Sequence, residues 1–224
     1  MDNASILILI PVAYLIGSVP FGIFAARILG GVDPRSSGSG NIGATNVVRS
    51  AGKAAGAATL MLDFLKGALP TLLAYSLRHE PAYVSMVGFA AFAGHLFPIF
   101  LKFRGGKGVA TAFGVMLSVA PAATLLSAGV FIAMVLWKRY VSLGSIIAAA
   151  LLPVFLSLLS SGRQTILMKL NPGMGAGHPS EGWVGPIAPS GKDFLILGAL
   201  IAVFVILKHK ENIKRILAGT ENRI

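Results

Sequence analysis

Residues 108–137 read GVATAFGVMLSVAPAATLLSAGVFIAMVLW, a run without a single charge. As one α-helix it would extend about 45 Å at about 1.5 Å per residue, too long for a hydrocarbon core of about 30 Å. Pro121 sits near its middle. Proline has no N–H to donate and clashes with the preceding turn, so it ends a helix. Two short crossings, 108–120 and 122–137, fit better than one. Each is shorter than an ideal span, which leaves room for one to be partly re-entrant.

Working outward, five more apolar segments can be drawn, at 4–26, 55–77, 83–101, 143–160 and 193–207. Counted with the two halves of 108–137, they make seven crossings. The expected fold is all-α: a single integral-membrane domain over 1–224, a compact bundle of seven transmembrane helices. The first segment has no Lys or Arg before it and Arg27 just after it. It lacks the basic leader of a cleaved signal, so it reads as a helix with its N-terminus outside. Parity then puts fourteen of the nineteen Lys and Arg residues on the cytoplasmic side, the basic C-terminus among them. Six crossings would leave that C-terminus outside, against the positive-inside rule. Residues 161–192 carry the turn signals Asn171-Pro172-Gly173, His178-Pro179 and Gly185-Pro186 and read as an irregular outer loop.

The composition agrees. The chain of 224 residues is 55% hydrophobic and 12% charged, with a mean hydropathy of +0.79. A soluble domain carries about twice that charged fraction. There is no cysteine, which removes disulfides, thiolate metal sites and an acyl-thioester intermediate. The net charge of +11 favours anionic partners, although helix orientation alone accounts for most of it. No nucleic-acid partner is expected; the surfaces in question face membrane lipids.

Several polar motifs interrupt the apolar text. Ser37-Gly38-Ser39-Gly40-Asn41-Ile42-Gly43-Ala44-Thr45-Asn46 holds three glycines and no carboxylate, between Arg35 and Arg49. Glycine lets backbone N–H groups converge on an anion. Ser37, Ser39, Asn41, Thr45 and Asn46 add polar side chains, so the loop reads as a cradle for a phosphate. Gly38, Gly40 and Gly43 also match the spacing of a dinucleotide fingerprint. No strand precedes them, and Asp63, twenty residues on, falls in an apolar helix, so that reading fails. Gly105-Gly106-Lys107-Gly108 is no Walker loop, since Val109 follows where Ser or Thr is required. Its glycines still suggest a backbone bent to aim an ammonium at a phosphate.

Asp63 and Lys66 share a helix face inside the second segment and read as a structural ion pair, with a catalytic base as the sharper alternative. His95 reads as a helix-bonded structural histidine. Ser142 and Ser145 follow Lys138-Arg139, where the N-terminus of the next helix would face a bound anion. His209 and Asn212, three apart, share a face of a basic amphipathic tail helix. Gly17-Ser18-Val19-Pro20-Phe21-Gly22 breaks the first helix, either to shape an acyl groove or to pack closely against a neighbour.

Together, GSVPFG (17–22), GVDPRSSGSGNIGATNVVR (31–49), DFLKG (63–67), GHLFPIFLKFRGGKGVAT (94–111), KRYVSLGS (138–145) and LKHKENIKRILAGTEN (207–222) resemble the bacterial integral-membrane glycerol-3-phosphate acyltransferases that use acyl phosphate. The resemblance covers nearly the whole chain except 161–192. It implies a seven-helix bundle in the bacterial inner (plasma) membrane, with its active site facing the cytoplasm. The implied reaction joins acyl phosphate and glycerol 3-phosphate to give 1-acyl-glycerol 3-phosphate (lysophosphatidate) and phosphate, the first acylation of phospholipid synthesis.

Carried onto this chain, Ser39, Arg49 and the backbone of 40–46 would hold acyl phosphate. Lys107, Ser142, His209 and Asn212 would hold glycerol 3-phosphate or the departing phosphate. Ser37, Gly38, Gly40, Asn41, Gly43, Thr45, Asn46, Gly105, Gly106, Gly108 and Ser145 would complete the binding surface. Whether Ser142 or Ser145 makes the contact stays open. The resemblance further implies that a substrate phosphate takes the hydroxyl proton, that no cofactor or metal is needed, and a functional link to an acyl-phosphate-forming enzyme.

The residues agree on their own terms. An acyl phosphate is already activated, so orientation and charge stabilisation do most of the catalysis. No His-x4-Asp box occurs, and the eight carboxylates are scattered. A transporter of phosphate esters or organic anions is the rival from another class. It would place polar groups near the midplane, whereas here the glycine-rich and basic motifs collect on one expected side.

Overall fold

The computed structural model describes residues 7–77, 80–170 and 192–223, with the side chains of 161–170 left out. The described chain is helical apart from short turns. In order, the helices are α1 (Leu9–Ser18), α2 (Phe21–Gly30), α3 (Ala44–Ala51), α4 (Lys53–Leu77), α5 (Pro81–Leu96), α6 (Val109–Val119), α7 (Pro121–Lys138), α8 (Val141–Leu170), α9 (Lys192–Lys208) and α10 (Lys210–Leu217). Short 3-10 turns occupy Pro34–Ser36 and Ile99–Leu101.

The break at Pro121 is present. α6 ends at Val119 and α7 begins at the proline, with Ala120 between them at φ −145° and ψ 61°. Five stretches are long and apolar enough to cross a membrane: Leu9–Gly30, Lys53–Leu77, Pro81–Leu101, Pro121–Lys138 and Val141–Ser160. α6, with 11 residues, rises only about 16 Å and is the short member of the pair. α9 has 17 residues, about 25 Å.

Two boundaries differ from the sequence reading. Residues 161–170, expected to open the outer loop, continue α8 to Leu170; nothing in that stretch is a proline, and Gly162 alone does not stop a helix. The rest of the expected loop, 171–191, lies outside the described residues. The glycine-rich loop is also shorter than read, because Ala44, Thr45 and Asn46 belong to α3.

Close helix crossings organise the core. α1 packs on α5, α4 on α6, α7 on α8 and α8 on α9. At the first crossing, a Cβ on Gly17 would strike the Ala91 carbonyl, and one on Gly94 would strike that of Tyr14. Gly67 and Gly114 do the same for the α4–α6 crossing, against Thr111 and Phe64. Small residues let helix backbones approach within a bilayer, where apolar burial gives little drive. The Gly17–Gly22 stretch is thus a packing device: Gly22 lies against the Ile42 carbonyl. α7 stands at the outside, its Leu136 and Trp137 more than two-thirds exposed, as suits a lipid-facing surface.

A buried ion pair closes the break between α1 and α2. Lys66 Nζ lies 2.8 Å from Asp63 Oδ1 and donates a 3.0 Å hydrogen bond to the Val19 carbonyl. That carbonyl lies in the linker where Pro20 ends the helix. The sequence reading of Asp63–Lys66 as a structural pair therefore holds in the geometry. The expectation of a helix-bonded His95 is not met: its Nδ1 faces Asp63 Oδ1 on another helix, 3.6 Å away.

Candidate functional site

A cavity of about 760 Å³ opens among α3, α4, α6, α7, α8 and the tail. Its walls change character along its length. Leu60, Met61, Phe64, Phe113, Phe131 and Ile132 line an apolar part. Arg49, Lys107, Ser142, His209, Asn212 and Arg215 gather at a polar part, with Glu221 among them.

The glycine-rich loop is organised by one side chain. Asn46 Nδ2 donates to the carbonyls of Pro34 (2.8 Å), Ser37 (3.2 Å) and Asn41 (2.9 Å), and its Oδ1 accepts from Ser39 N (2.9 Å). Gly38 turns at φ +60° against this amide. Asn46 reaches the cavity wall, but its amide is engaged by the loop, a scaffold role in place of the expected substrate contact. Asn41 likewise accepts from Gly43 N at 2.8 Å. Gly43 caps α3, and Ala44 and Thr45 follow on the cavity wall. The N–H groups of Asn46 and Val47 donate to the Gly43 carbonyl at 3.0 and 3.1 Å, and the two before them, on Ala44 and Thr45, come too early in the helix for an intrahelical acceptor, so this end of α3 turns a positive dipole end to the cavity. Ser39 and Arg49 also line the cavity, whereas Ser37, Gly38 and Gly40 do not. Arg35 is diverted. Its guanidinium binds Asp33 through Nε (3.0 Å) and Nη2 (2.7 Å), and Arg27 binds the same carboxylate at 2.8 Å. The Arg35 side-chain and backbone hydrogen bonds hold Asp33 well below the usual carboxylate range.

Gly105 and Gly106 form the back of the second loop. The Gly106 N–H donates to the His95 carbonyl at 3.2 Å, and a Cβ on Gly105 would strike that same carbonyl. Only Lys107 and Gly108 reach the cavity. Gly108, at φ +79°, starts α6 and turns the chain there. Burial pushes the Lys107 ammonium down to about 8; Glu221 attracts it, and Arg215 and Arg49 repel it.

On α8, Ser142 and Ser145 behave differently. Ser145 Oγ donates to the Val141 carbonyl within its own helix at 2.9 Å. Ser142 Oγ donates to Glu221 Oε1 at 2.6 Å. Asn212 Nδ2 donates to the same oxygen at 2.7 Å, and Arg215 Nε to Oε2 at 2.7 Å. Glu221 thus joins α8 to α10, and these three bonds outweigh its burial and hold its pKa low. His209 caps α10 and is 2% exposed. Its Nδ1 lies 2.7 Å from the Val205 carbonyl, which can only accept, so Nδ1 carries the proton and Nε2 is left as an acceptor. Burial, then the Lys107 charge, pushes its pKa down to about 4, so the ring is neutral at pH 7.

The structure brings Ser39, Arg49, Lys107, Ser142, His209 and Asn212 to one cavity, from four separate stretches of sequence. Arg215 and Glu221 were missed as site residues. The signal was a lone carboxylate just past Gly219, whose φ of +69° turns the chain back after α10.

A family model described as glycerol-3-phosphate acyltransferase matches residues 7–219. The glycerol-3-phosphate acyltransferase of Geobacter sulfurreducens is 46% identical, over 97% of this chain and 96% of its own. That of Aquifex aeolicus is 40% identical, over 97% and 98%. The crystal structure of PlsY (YgiH), an integral membrane glycerol 3-phosphate acyltransferase, in its glycerol 3-phosphate form superposes with a TM-score of 0.79 at 39% identity, covering 98% of this chain and 96% of that one. Its lysophosphatidic acid form gives 0.78 over 98% and 95%. With the family model, the curated relatives and the helical fold all matching over nearly its full length, this chain belongs to the glycerol-3-phosphate acyltransferase family.

Proposed function

We propose that the protein acylates the 1-hydroxyl of sn-glycerol 3-phosphate with an acyl phosphate, giving lysophosphatidate and phosphate. The observation that carries this is the two-sided cavity, apolar at one part and cationic at the other. An acyl phosphate has the same division: an alkyl chain joined to a charged head. The apolar walls take the chain. The free N–H groups at the start of α3, with Ser39 and Arg49, hold the acyl phosphate head. Lys107, Ser142, His209 and Asn212 hold glycerol 3-phosphate. Three cations around one carboxylate leave the polar part short of negative charge, which two phosphates supply.

In the reaction, the hydroxyl oxygen attacks the acyl carbonyl carbon. The bond from that carbon to the phosphate oxygen breaks, and phosphate leaves with the electron pair. A substrate phosphate oxygen takes the hydroxyl proton. Arg49 and Lys107 stabilise the charge that grows on the leaving group, a contribution largest where water is excluded. The active site faces the cytoplasm of a bacterial inner membrane crossed seven times, α6 being the short crossing. No metal or cofactor takes part, and the donor comes from an enzyme that forms acyl phosphate.

Purified protein in vesicles tests this. Phosphate release from palmitoyl phosphate should require glycerol 3-phosphate and match lysophosphatidate formed. Release that is independent of glycerol 3-phosphate, or uptake of the ester without acylation, would overturn it.

A further inference from the structure

A second crevice, of about 500 Å³, shares no lining residue with the catalytic cavity. It forms where α1 ends and α2 begins. Val19, Pro20, Ile23 and Phe24 supply one apolar wall, and Phe100 and Leu101, from the 3-10 turn after α5, complete it. Arg27 and Arg35 line it as well. Pro20, Ile23, Phe24 and Arg27 are spaced so that they share one face of α2. Arg27 stands about 10 Å along the helix from Pro20, at about 1.5 Å per residue. It lies in the last turn of α2, at the membrane face that carries the glycine-rich loop. The crevice is therefore apolar in depth and cationic at the surface, the same order as a phospholipid. Phe24 and Phe100 are exposed, so a chain laid here would cover apolar surface that the described helices leave bare.

The cations at its rim outnumber the acids. Arg27 and Arg35 share one carboxylate, Asp33. Arg35 spends both Nε and Nη2 on it, whereas Arg27 spends only Nη2. Arg27, with its side chain 57% exposed, keeps N–H groups for a further anion. Lys102 and Arg104, exposed just beyond Leu101, add charge, and no carboxylate occurs between Phe97 and Gly108. A guanidinium binds phosphate through paired N–H groups. A zwitterionic head would bring its own ammonium among these cations; an anionic head would not. The turn Pro34–Ser36 also gives the carbonyl that Asn46 holds, so the crevice sits behind the glycine-rich loop.

We propose that this crevice binds an anionic phospholipid of the surrounding bilayer, with its phosphate on the free edge of Arg27 and an acyl chain along Phe24 and Phe100. The site goes beyond the acyltransferase reading, because its ligand is neither donor nor acceptor in that reaction. It also differs from general attraction to a basic rim, because the cation stands over an apolar recess of matching polarity.

Photolabelling tests this. Purified protein is placed in nanodiscs of phosphatidylcholine carrying a trace of phosphatidylglycerol with a diazirine in one acyl chain. A parallel sample carries an equal trace of phosphatidylcholine with the same diazirine, and labelled residues are mapped by mass spectrometry. At Phe24, Phe100 and Leu101 the anionic lipid should label about fivefold more than the zwitterionic one, the selectivity of about one basic residue at a membrane surface. The end of α7 is the control. Leu136 and Trp137 stand exposed there beside Lys138 and Arg139, on a ridge, and the ratio should be smaller. Arg27→Gln should bring the crevice ratio close to one, and the wild-type comparison decides the matter if that variant does not fold. Equal labelling by the two lipids at the crevice overturns the proposal, as does a ratio no greater than that at α7. A folded Arg27→Gln protein that keeps the preference also overturns it. So does labelling confined to Leu60, Met61 and Phe131, which would put the lipid in the catalytic cavity.

Discussion

Replacing Lys107 by alanine and by arginine tests the charge at the centre of the polar part, and pH separates the two substitutions. Burial lowers the Lys107 ammonium to about 8 in the free protein. It is then about nine-tenths charged at pH 7 and about one-tenth charged at pH 9. Because kcat/KM reports the free enzyme, it should fall about tenfold across that interval. A bound phosphate stabilises the ammonium, so kcat should fall later, at higher pH. Lys107→Ala removes a charged hydrogen bond of about 1.5–3 kcal/mol, or roughly 10- to 150-fold in kcat/KM, and should abolish the alkaline limb near 8. Lys107→Arg should lose less at pH 7 and also lack the limb, since guanidinium stays charged throughout. The assay is the initial rate of lysophosphatidate formation from pH 6 to 10, with enzyme-free blanks for spontaneous donor hydrolysis. An alkaline limb near pH 8 that survives in Lys107→Arg would show that another group sets it and refute the assignment.

Arg49→Ala should reduce turnover by a similar factor while the protein still melts cooperatively; near-wild-type rates would remove Arg49 from the site. His209→Ala should act mainly on KM for glycerol 3-phosphate, leaving measurable kcat at saturation, and His209→Gln should retain more; complete loss of kcat with unchanged KM would make His209 an obligatory base. His209 also makes stability depend on pH. Its folded value of about 4 lies below the ordinary value of about 6.5, so the unfolded chain binds the proton more readily. Thermal stability should therefore fall as pH drops from about 6.5 toward 4, and His209→Gln should blunt that fall. Glu221→Gln should raise KM for glycerol 3-phosphate by loosening Ser142, Asn212 and Arg215 together; an unchanged KM would limit Glu221 to the surface of the tail. A reporter active only in the cytoplasm, fused after Ile224, should be active, and a silent but inserted fusion would overturn the seven-crossing orientation.

What could be read from the sequence was whatever depends on single residues acting locally. Pro121 falls in the middle of a run too long for one crossing, so the α6–α7 break was visible in advance, whereas Pro70 and Pro153 lie inside α4 and α8 without ending them. Glycines flanking Lys107 and the spacing of His209 and Asn212 likewise mark local geometry, and these residues do line one cavity. Long-range pairing was not visible. Arg35 reads as a free charge beside a glycine-rich loop, but Asp33, two residues earlier, folds back to neutralise it. Ser142 and Ser145 are equivalent in sequence; only Glu221, far along the chain and brought back by the turn at Gly219, distinguishes them. α3 was hidden because Ala-Thr-Asn after glycine looks like loop, and its helix is set by the Gly43 cap and by Val47 buried against Ala26 and Ala55.

The positions of the helix breaks explain why the motifs converge. Inside a bilayer, backbone that leaves the helix must be buried in protein or line a wet cavity, because lipid offers no hydrogen bonds. The break at Val19–Pro20 takes the first course: its carbonyl is satisfied by Lys66, and the charge that does this is balanced by Asp63. The turns before α3, before α6 and between α9 and α10 take the second, each placing a capping residue, Gly43, Gly108 or His209, on the wall of one cavity. A chain this apolar has few other places for polar backbone, so its glycine-rich motifs and its binding surface coincide. The same constraint links the two systems, for Asp63 serves the first break through Lys66 and approaches the cavity beside His95. Removing that carboxylate should therefore disturb both at once. Asp63→Asn is expected to lower thermal stability, by leaving Lys66 buried without a counter-charge, and also to slow lysophosphatidate formation at saturating substrate. Loss of stability with the rate intact would separate the helix break from the site and show that the ion pair serves the fold alone.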